Sequence, residues 1–248
     1  MEKVTYLDHS GFAVVTPTVI LVFDYYKDPA HALKKLLRDN AALPVVFLVS
    51  HHHEDHFNRD IFDLAQNHKR AYVLSNDIVS QVTHDNVAIA WMSPGDTVDQ
   101  LPGDITVKAY GSTDVGVSYL VTLPDGKTLF HAGDLNFWHW SEDSTVEEVR
   151  KAYNRFVKVM MHLLQEVKSL DIAFFPVDPR MGQDFWEGAR LFLSNIDVKY
   201  FFPMHFQGDY RDACDFEEYA PDNTDSICLY VPGETVEITA GKAIRQHA

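Results

Sequence analysis

The segment Ser50-His51-His52-His53-Glu54-Asp55-His56-Phe57 concentrates the side chains of this protein best suited to chemistry. Imidazole nitrogen and carboxylate oxygen both bind zinc and similar divalent ions. In a tight loop successive side chains point in different directions, so His51 and His53 can face one ion while Asp55 and His56 face a second close by. His52 points opposite to its neighbours and is expected to be exposed or packed rather than ligating. Metals held by nitrogen and carboxylate oxygen, with a position left for water, suit hydrolysis: the cation lowers the pKa of bound water to about 7 and polarises the bond under attack. No Ser/His/Asp triad, phosphate-gripping glycine loop or catalytic-cysteine signature competes with that chemistry.

Such a loop needs rigid elements to hold it. Val45–Val49 is a continuous apolar run, the pattern of a strand covered on both faces. The histidines begin one residue after it ends, where α/β proteins usually place their sites. Before it, Val4 to Phe23 reads as a β-meander closing on Asp24, and Asp28-Pro29 opens a helix from about Ala30 to Arg38. After it, Asp60 to His68 reads as helical, Ala71 to Ser75 as a strand and Asn76 to Val82 as a short helix. Further strands are expected at 88–92, 105–110, 117–123, 128–130, 172–177 and 199–203, with β structure again over 227–238. Helices are expected over about 146–169 and 185–193. Two successive β/α halves with no linker between them predict one domain spanning residues 1–248, an α/β four-layer αββα sandwich.

Composition narrows the partners. Lys and Arg number 21 against 36 Asp and Glu, a formal charge of −15 that disfavours nucleic acid. With 46% hydrophobic residues the chain can bury a core, yet no stretch nears the roughly 20 apolar residues of a membrane helix. No signal peptide is visible, and Cys214 and Cys228 could pair but form no disulfide framework. A cytoplasmic protein with a small-molecule substrate is expected.

The run His51-x-His53-x-Asp55-His56 resembles the HxHxDH signature of the metallo-β-lactamase superfamily. Residues 6–12, Tyr-Leu-Asp-His-Ser-Gly-Phe, are similar to the opening strand and turn of its L-ascorbate-6-phosphate lactonase-like subgroup. Asp24 matches the aspartate that supports the metal loop by hydrogen bonds. Phe130-His131-Ala132-Gly133-Asp134 resembles the motif whose aspartate bridges two metals, and Phe202-Pro203-Met204-His205 the motif that completes the second site. The resemblance implies an αββα sandwich with metals at one edge. His51, His53, Asp55, His56, Asp134 and His205 would be the ligands, and Asp55 would also orient the attacking water.

One position departs from this pattern. Aligning Gly111-Ser112-Thr113-Asp114 with the third motif puts Ser112 where the family has a histidine, so the first site should be weak unless Asp114 compensates. His9 is a site-edge or structural histidine, and His131 is expected to support the metal ligands or to be structural. His139, in the aromatic run 136–140, is expected to cap the core. His31, His68, His84, His162 and His247 are expected at the surface. Arg180, in Asp178-Pro179-Arg180, offers either a fork for a substrate anion or a loop salt bridge. These residues predict a metal-dependent hydrolase of a small ester, lactone or phosphoester, with one or two zinc, manganese or iron ions. The alternative is a catalytically silent metal- or ligand-binding member of the same fold.

Overall fold

Two mixed β-sheets face one another in the computed structural model, which describes residues 1–82, 87–208, 210–239 and 241–246. His84 and His247 lie outside the described residues. The first half of the chain supplies β1 (Glu2–Asp8), β2 (Gly11–Val15), β3 (Ile20–Phe23), α1 (Ala32–Asp39), β4 (Val45–Val49), β5 (Arg70–Ser75) and β6 (Ile89–Met92). There follow β7 (Thr97–Leu101), β8 (Ile105–Gly111), β9 (Val117–Thr122), β10 (Thr128–His131), α2 (Val146–Leu163), β11 (Ser169–Pro176), α3 (Glu187–Leu193) and β12 (Asp197–Met204). The chain then runs through α4 (Tyr210–Cys214), β13 (Asp225–Ser226), β14 (Thr235–Thr239) and β15 (Lys242–Gln246). The first sheet has the order β15-β14-β1-β2-β3-β4-β5-β6, and the second β13-β12-β11-β10-β9-β8-β7.

Burial explains the layers. Phe12, Phe23, Leu48 and Val73 from the first sheet meet Tyr119, Val121, Phe174 and Phe202 from the second in one apolar core. On the outer face of the first sheet, Val45, Phe47 and Val49 pack with Leu33, Leu36 and Leu37 of α1. That helix starts where Asp28 accepts the backbone N–H groups of Ala32 and Leu33. On the far side of the second sheet, Phe156, Met160 and Leu163 of α2 and Phe192 of α3 join the core. A capping box between Thr145 and Glu148 fixes the start of α2. The αββα order expected from the sequence is therefore the observed one.

Four local expectations need correction. Helix α2 stops at Leu163, and the residues read as its end enter β11, where Ser169 pairs with Asp197 in parallel register. Between Asp60 and His68 only a single 3₁₀ turn forms, Arg59–Phe62, started by the Asn58 side chain accepting from Asp60 N–H. Of the 227–238 segment only the end is a strand, and it turns back into β15, which was not expected. Strand β7 was also missed, because it is a mostly exposed edge strand with polar residues and no alternating pattern. Cys214 and Cys228 are bonded to one another.

Strand direction sets the site. β3 and β4 are parallel neighbours in one sheet, and β10, β11 and β12 run parallel side by side in the other. Their C-terminal ends deliver Asp24 and the histidine loop from the first sheet, and Asp134, Asp178 and His205 from the second.

Candidate metal centre

Asp24 organises the first sheet's contribution. Fully buried, it accepts from Ser50 N–H at 2.7 Å and from the Ser50 hydroxyl at 2.6 Å, and its Oδ2 lies 2.7 Å from His56 Nδ1. The Ser50 oxygen in turn sits 2.9 Å from His51 Nδ1. Because that hydroxyl donates to Asp24, it accepts from His51. In the neutral rings the outward nitrogens of His51 and His56 thus carry the protons, which makes Nε2 of each the lone-pair donor toward the interior.

The second sheet repeats the device. Asp178 is fully buried, and its Oδ2 lies 2.9 Å from His205 Nδ1, which again leaves Nε2 facing inward. Arg180 grips Asp178 through Nε at 2.9 Å and donates through Nη1 to Gln207 Oε1 at 3.0 Å. Its fork thus bonds Asp178 and Gln207, a salt bridge within the protein.

Asp134 links the two groups. Its Oδ2 lies 3.3 Å from His51 Nε2, while its Oδ1 lies 3.1 Å from His56 Nε2 and 3.3 Å from His205 Nε2. Donor atoms of His51, His53 and Asp134 form one compact set, and those of His9, Asp55, His56 and His205 another, each within 4.8 Å of one another. His53 joins through Nδ1, 3.0 Å from His51 Nε2.

Several of these atoms make no hydrogen bond within the protein. Among the described residues, His56 Nε2, Asp134 Oδ1 and both ring nitrogens of His9 are buried without a hydrogen bond. Burying polar atoms unpaired costs roughly 1–3 kcal/mol each, and a cation on the converging lone pairs removes that penalty. The donor set fits a divalent metal.

Electrostatics agree. Burial opposes a charge on His56, but Asp134 and Asp24 on its two nitrogens outweigh it and lift the ring to about 10, so Nε2 holds a proton that a bound cation would replace. Burial likewise opposes ionisation of Asp134, yet His56, His205 and His51 hold it well below the usual carboxylate range. Contact with His9, helped by the charge of His56, keeps Asp55 ionised far below its ordinary value despite partial burial. His9 itself is pushed down to about 4 by burial, so it is a neutral imidazole at pH 7. The pocket is built for positive charge.

Backbone strain collects at the same place. His9, Asp24 and His205 adopt φ of 54°, 39° and 71°, left-handed values that cost roughly 1–2 kcal/mol per residue for side chains other than glycine.

The remaining residues sort themselves. His131 is buried, with Nε2 2.9 Å from Ser10 O and Nδ1 accepting from Gly133 N–H, so both ring nitrogens are engaged by the backbone. His52 bonds Asp77 at 2.7 Å and stays out of both sets. His139 is buried against Phe137, with Nδ1 2.9 Å from the Phe137 carbonyl. Ser112 is outside both sets, its hydroxyl accepting from Asp114 N–H at 3.3 Å.

Two roles escaped sequence reasoning. Asp178 orients His205, and the recurring pattern of a buried strand followed by aspartate, as at Asp24, was the available signal. Trp138 lies 5.2 Å from the His205 ring and donates through Nε1 to Asp134 O at 2.8 Å, forming a wall of the site.

No model of a known protein family matches the chain. Its sequence is similar to a UPF0173 metal-dependent hydrolase of Bacillus velezensis, 25% identical over 256 residues that take in 95% of this chain and 99% of that protein. Its structure resembles Igni18, a metallo hydrolase from Ignicoccus hospitalis, with a TM-score of 0.66 at 19% identity, covering 96% of this chain and 99% of that one. It also resembles the metallo-β-lactamase fold protein YhfI from Bacillus subtilis, with a TM-score of 0.64 at 13% identity over 96% of this chain and all of the other. The chain is thus a metallo-β-lactamase-fold protein, similar over nearly its whole length to a metal-dependent hydrolase.

Proposed function

We infer that the protein is a metal-dependent hydrolase acting on a small ester, lactone or phosphoester. What carries this reading is the pair of donor sets joined by Asp134, with three histidines whose outward nitrogens are engaged by Asp24, Ser50 and Asp178. His51, His53 and Asp134 would hold one divalent ion, and Asp55, His56, His205 and Asp134 a second, with His9 against them. Zinc suits the imidazole-rich set, and manganese or iron are compatible with it. Ions held there supply a water nucleophile at neutral pH and polarise the bond under attack.

Asp55 orients the attacking water. It is ionised and about one-third exposed, so it is the carboxylate of the set that meets solvent, and His9 Nε2 at 3.3 Å fixes its position. Asp24 and Asp178 hold the histidine rings rather than touching substrate. The resemblance of residues 6–12 to the lactonase-like subgroup supports including lactones among the substrates, and the −15 charge argues against nucleic acid. A cytoplasmic location is part of the same reading, and the Cys214–Cys228 bond is a feature that runs against it.

The test is metal analysis of the purified protein, with turnover of a generic phosphodiester and a lactone panel before and after chelation. Asp55→Asn should fold and hold at least one ion while losing turnover. Unchanged turnover in that variant, or turnover that survives complete removal of metal, would remove the mechanism. Bound metal with no turnover across the panel would favour a silent, ligand-binding protein.

A further inference from the structure

The first donor set is short of a ligand. His51, His53 and Asp134 give three donors, and Ser112, at the position where the resemblance requires an imidazole, turns its hydroxyl to its own loop. Asp114 lies beside that set, outside its compact core, with its Oδ2 3.6 Å from His53 Nδ1. Two ligands on one tetrahedral cation, with bonds of about 2.0–2.2 Å, have donor atoms about 3.3–3.6 Å apart. The His51–Asp134 contact in the same set is 3.3 Å, so the Asp114–His53 spacing is that of two ligands sharing one ion.

The backbone on both sides of Asp114 is tied to the loops that carry the other ligands. The Thr113 hydroxyl donates to Asn136 O at 2.6 Å, reaches Asp134 O at 3.2 Å and accepts from Asn136 N–H at 2.9 Å. Val117 N–H donates to Ser50 O at 2.9 Å. Gly116, at φ +74°, passes so close that a Cβ there would lie 2.1 Å from Ser50 O and 2.5 Å from His51 Cβ. Asp114 is therefore fixed beside His53 from both directions. Its side chain is about half exposed to solvent.

We propose that Asp114 takes the place of the missing imidazole as the fourth side-chain ligand of the first ion, beside His51, His53 and Asp134. The proposal rests on the metal-hydrolase reading and adds a consequence to it. Two imidazoles and two carboxylates make a harder, more negative donor set than three imidazoles and one carboxylate, and favour manganese relative to zinc.

Equilibrium dialysis of the stripped full-length protein against zinc alone, and separately against manganese alone, tests this. Wild type should bind two zinc ions per chain. Asp114→Asn, nearly isosteric and with its fold checked by circular dichroism, should keep one site and weaken the other at least tenfold, with the larger loss for manganese. Glu54→Gln removes an equal charge from an exposed residue next to His53, and should leave both sites unchanged. Two undiminished sites in Asp114→Asn, or equal weakening by Glu54→Gln, would overturn the assignment in favour of no role or of a general field effect. A wild type with one tight zinc site would also overturn it while leaving the hydrolase reading intact. A wild type with none would remove the hydrolase reading itself.

Discussion

Asp178 Oδ2 and His205 Nδ1 lie 2.9 Å apart, and the pair mirrors Asp24 Oδ2 and His56 Nδ1 at 2.7 Å across the seam between the sheets. In each, a buried aspartate after a parallel strand sets the tautomer and direction of a histidine whose other nitrogen enters the site. Carboxylate–imidazole pairs of this kind raise the basicity of a ligating ring.

Asp178→Asn should therefore weaken metal binding without touching a ligand. The amide cannot accept from His205 Nδ1 as a carboxylate does, so the affinity of the second site should fall by about 10- to 100-fold. Calorimetric titration of the stripped protein measures it. An unaltered affinity would mean that Arg180 and the strand ends hold His205 unaided.

Replacing His205 with alanine should lower metal content far more than replacing His139. His205 Nε2 joins a compact donor set, whereas His139 packs on Phe137 outside both sets. Elemental analysis after dialysis compares the variants, and equal losses would bring the aromatic segment 136–140 into the centre.

Gly116→Ala should be among the most damaging single changes in the protein. The added Cβ would collide with Ser50 O and His51 Cβ at a left-handed φ. We expect a loss of more than about 3 kcal/mol in chemical denaturation, together with loss of metal. Gly126→Ala also has a positive φ but nothing within 4 Å, and should cost only about 1–2 kcal/mol. Similar costs at the two positions would mean that the loop yields easily.

The metal-free protein should lose stability on mild acidification. Burial holds His131 below its ordinary pKa, with Asp24 at 3.8 Å opposing the shift only in part. The unfolded ring takes a proton below about 6.5. The stability owed to the neutral ring is thus fully present above that pH and drains away as pH falls toward the folded value. His9 acts in the same sense, while His56, lifted to about 10, loses its contribution as pH rises from about 6.5 toward that value. Denaturant midpoints between pH 7 and 5 should fall less steeply in His131→Gln than in wild type. Parallel slopes would show that His131 is not the residue responsible.

The histidine loop and the strand before it were legible because both are continuous in sequence: five apolar residues, then the donors. Asp134 and His205 were legible through short motifs at strand ends. Asp178 was not, because its role depends on the parallel register of β11 and β12, which sets Pro176 beside Met204 and so brings Asp178 to His205. His9 was visible only as a residue of the site's edge, since the burial of its two nitrogens without a hydrogen bond is a property of packing. The αββα layers followed from the order of apolar runs. The over-long second helix and the missed β7 came from segments whose partners, rather than their own patterns, decide their state.

The donor groups also have an order in time. The histidine loop is complete by residue 56, but the carboxylate that joins the two sets is residue 134 and the last imidazole is residue 205. At ordinary rates of translation, about 5–20 residues per second, roughly 8–30 s separate His51 from His205. Throughout that interval the emerging first sheet displays a histidine cluster that can hold an ion only loosely. Tight capture must wait for the second sheet to dock, so a prematurely terminated chain stays unloaded and retained metal marks a finished one.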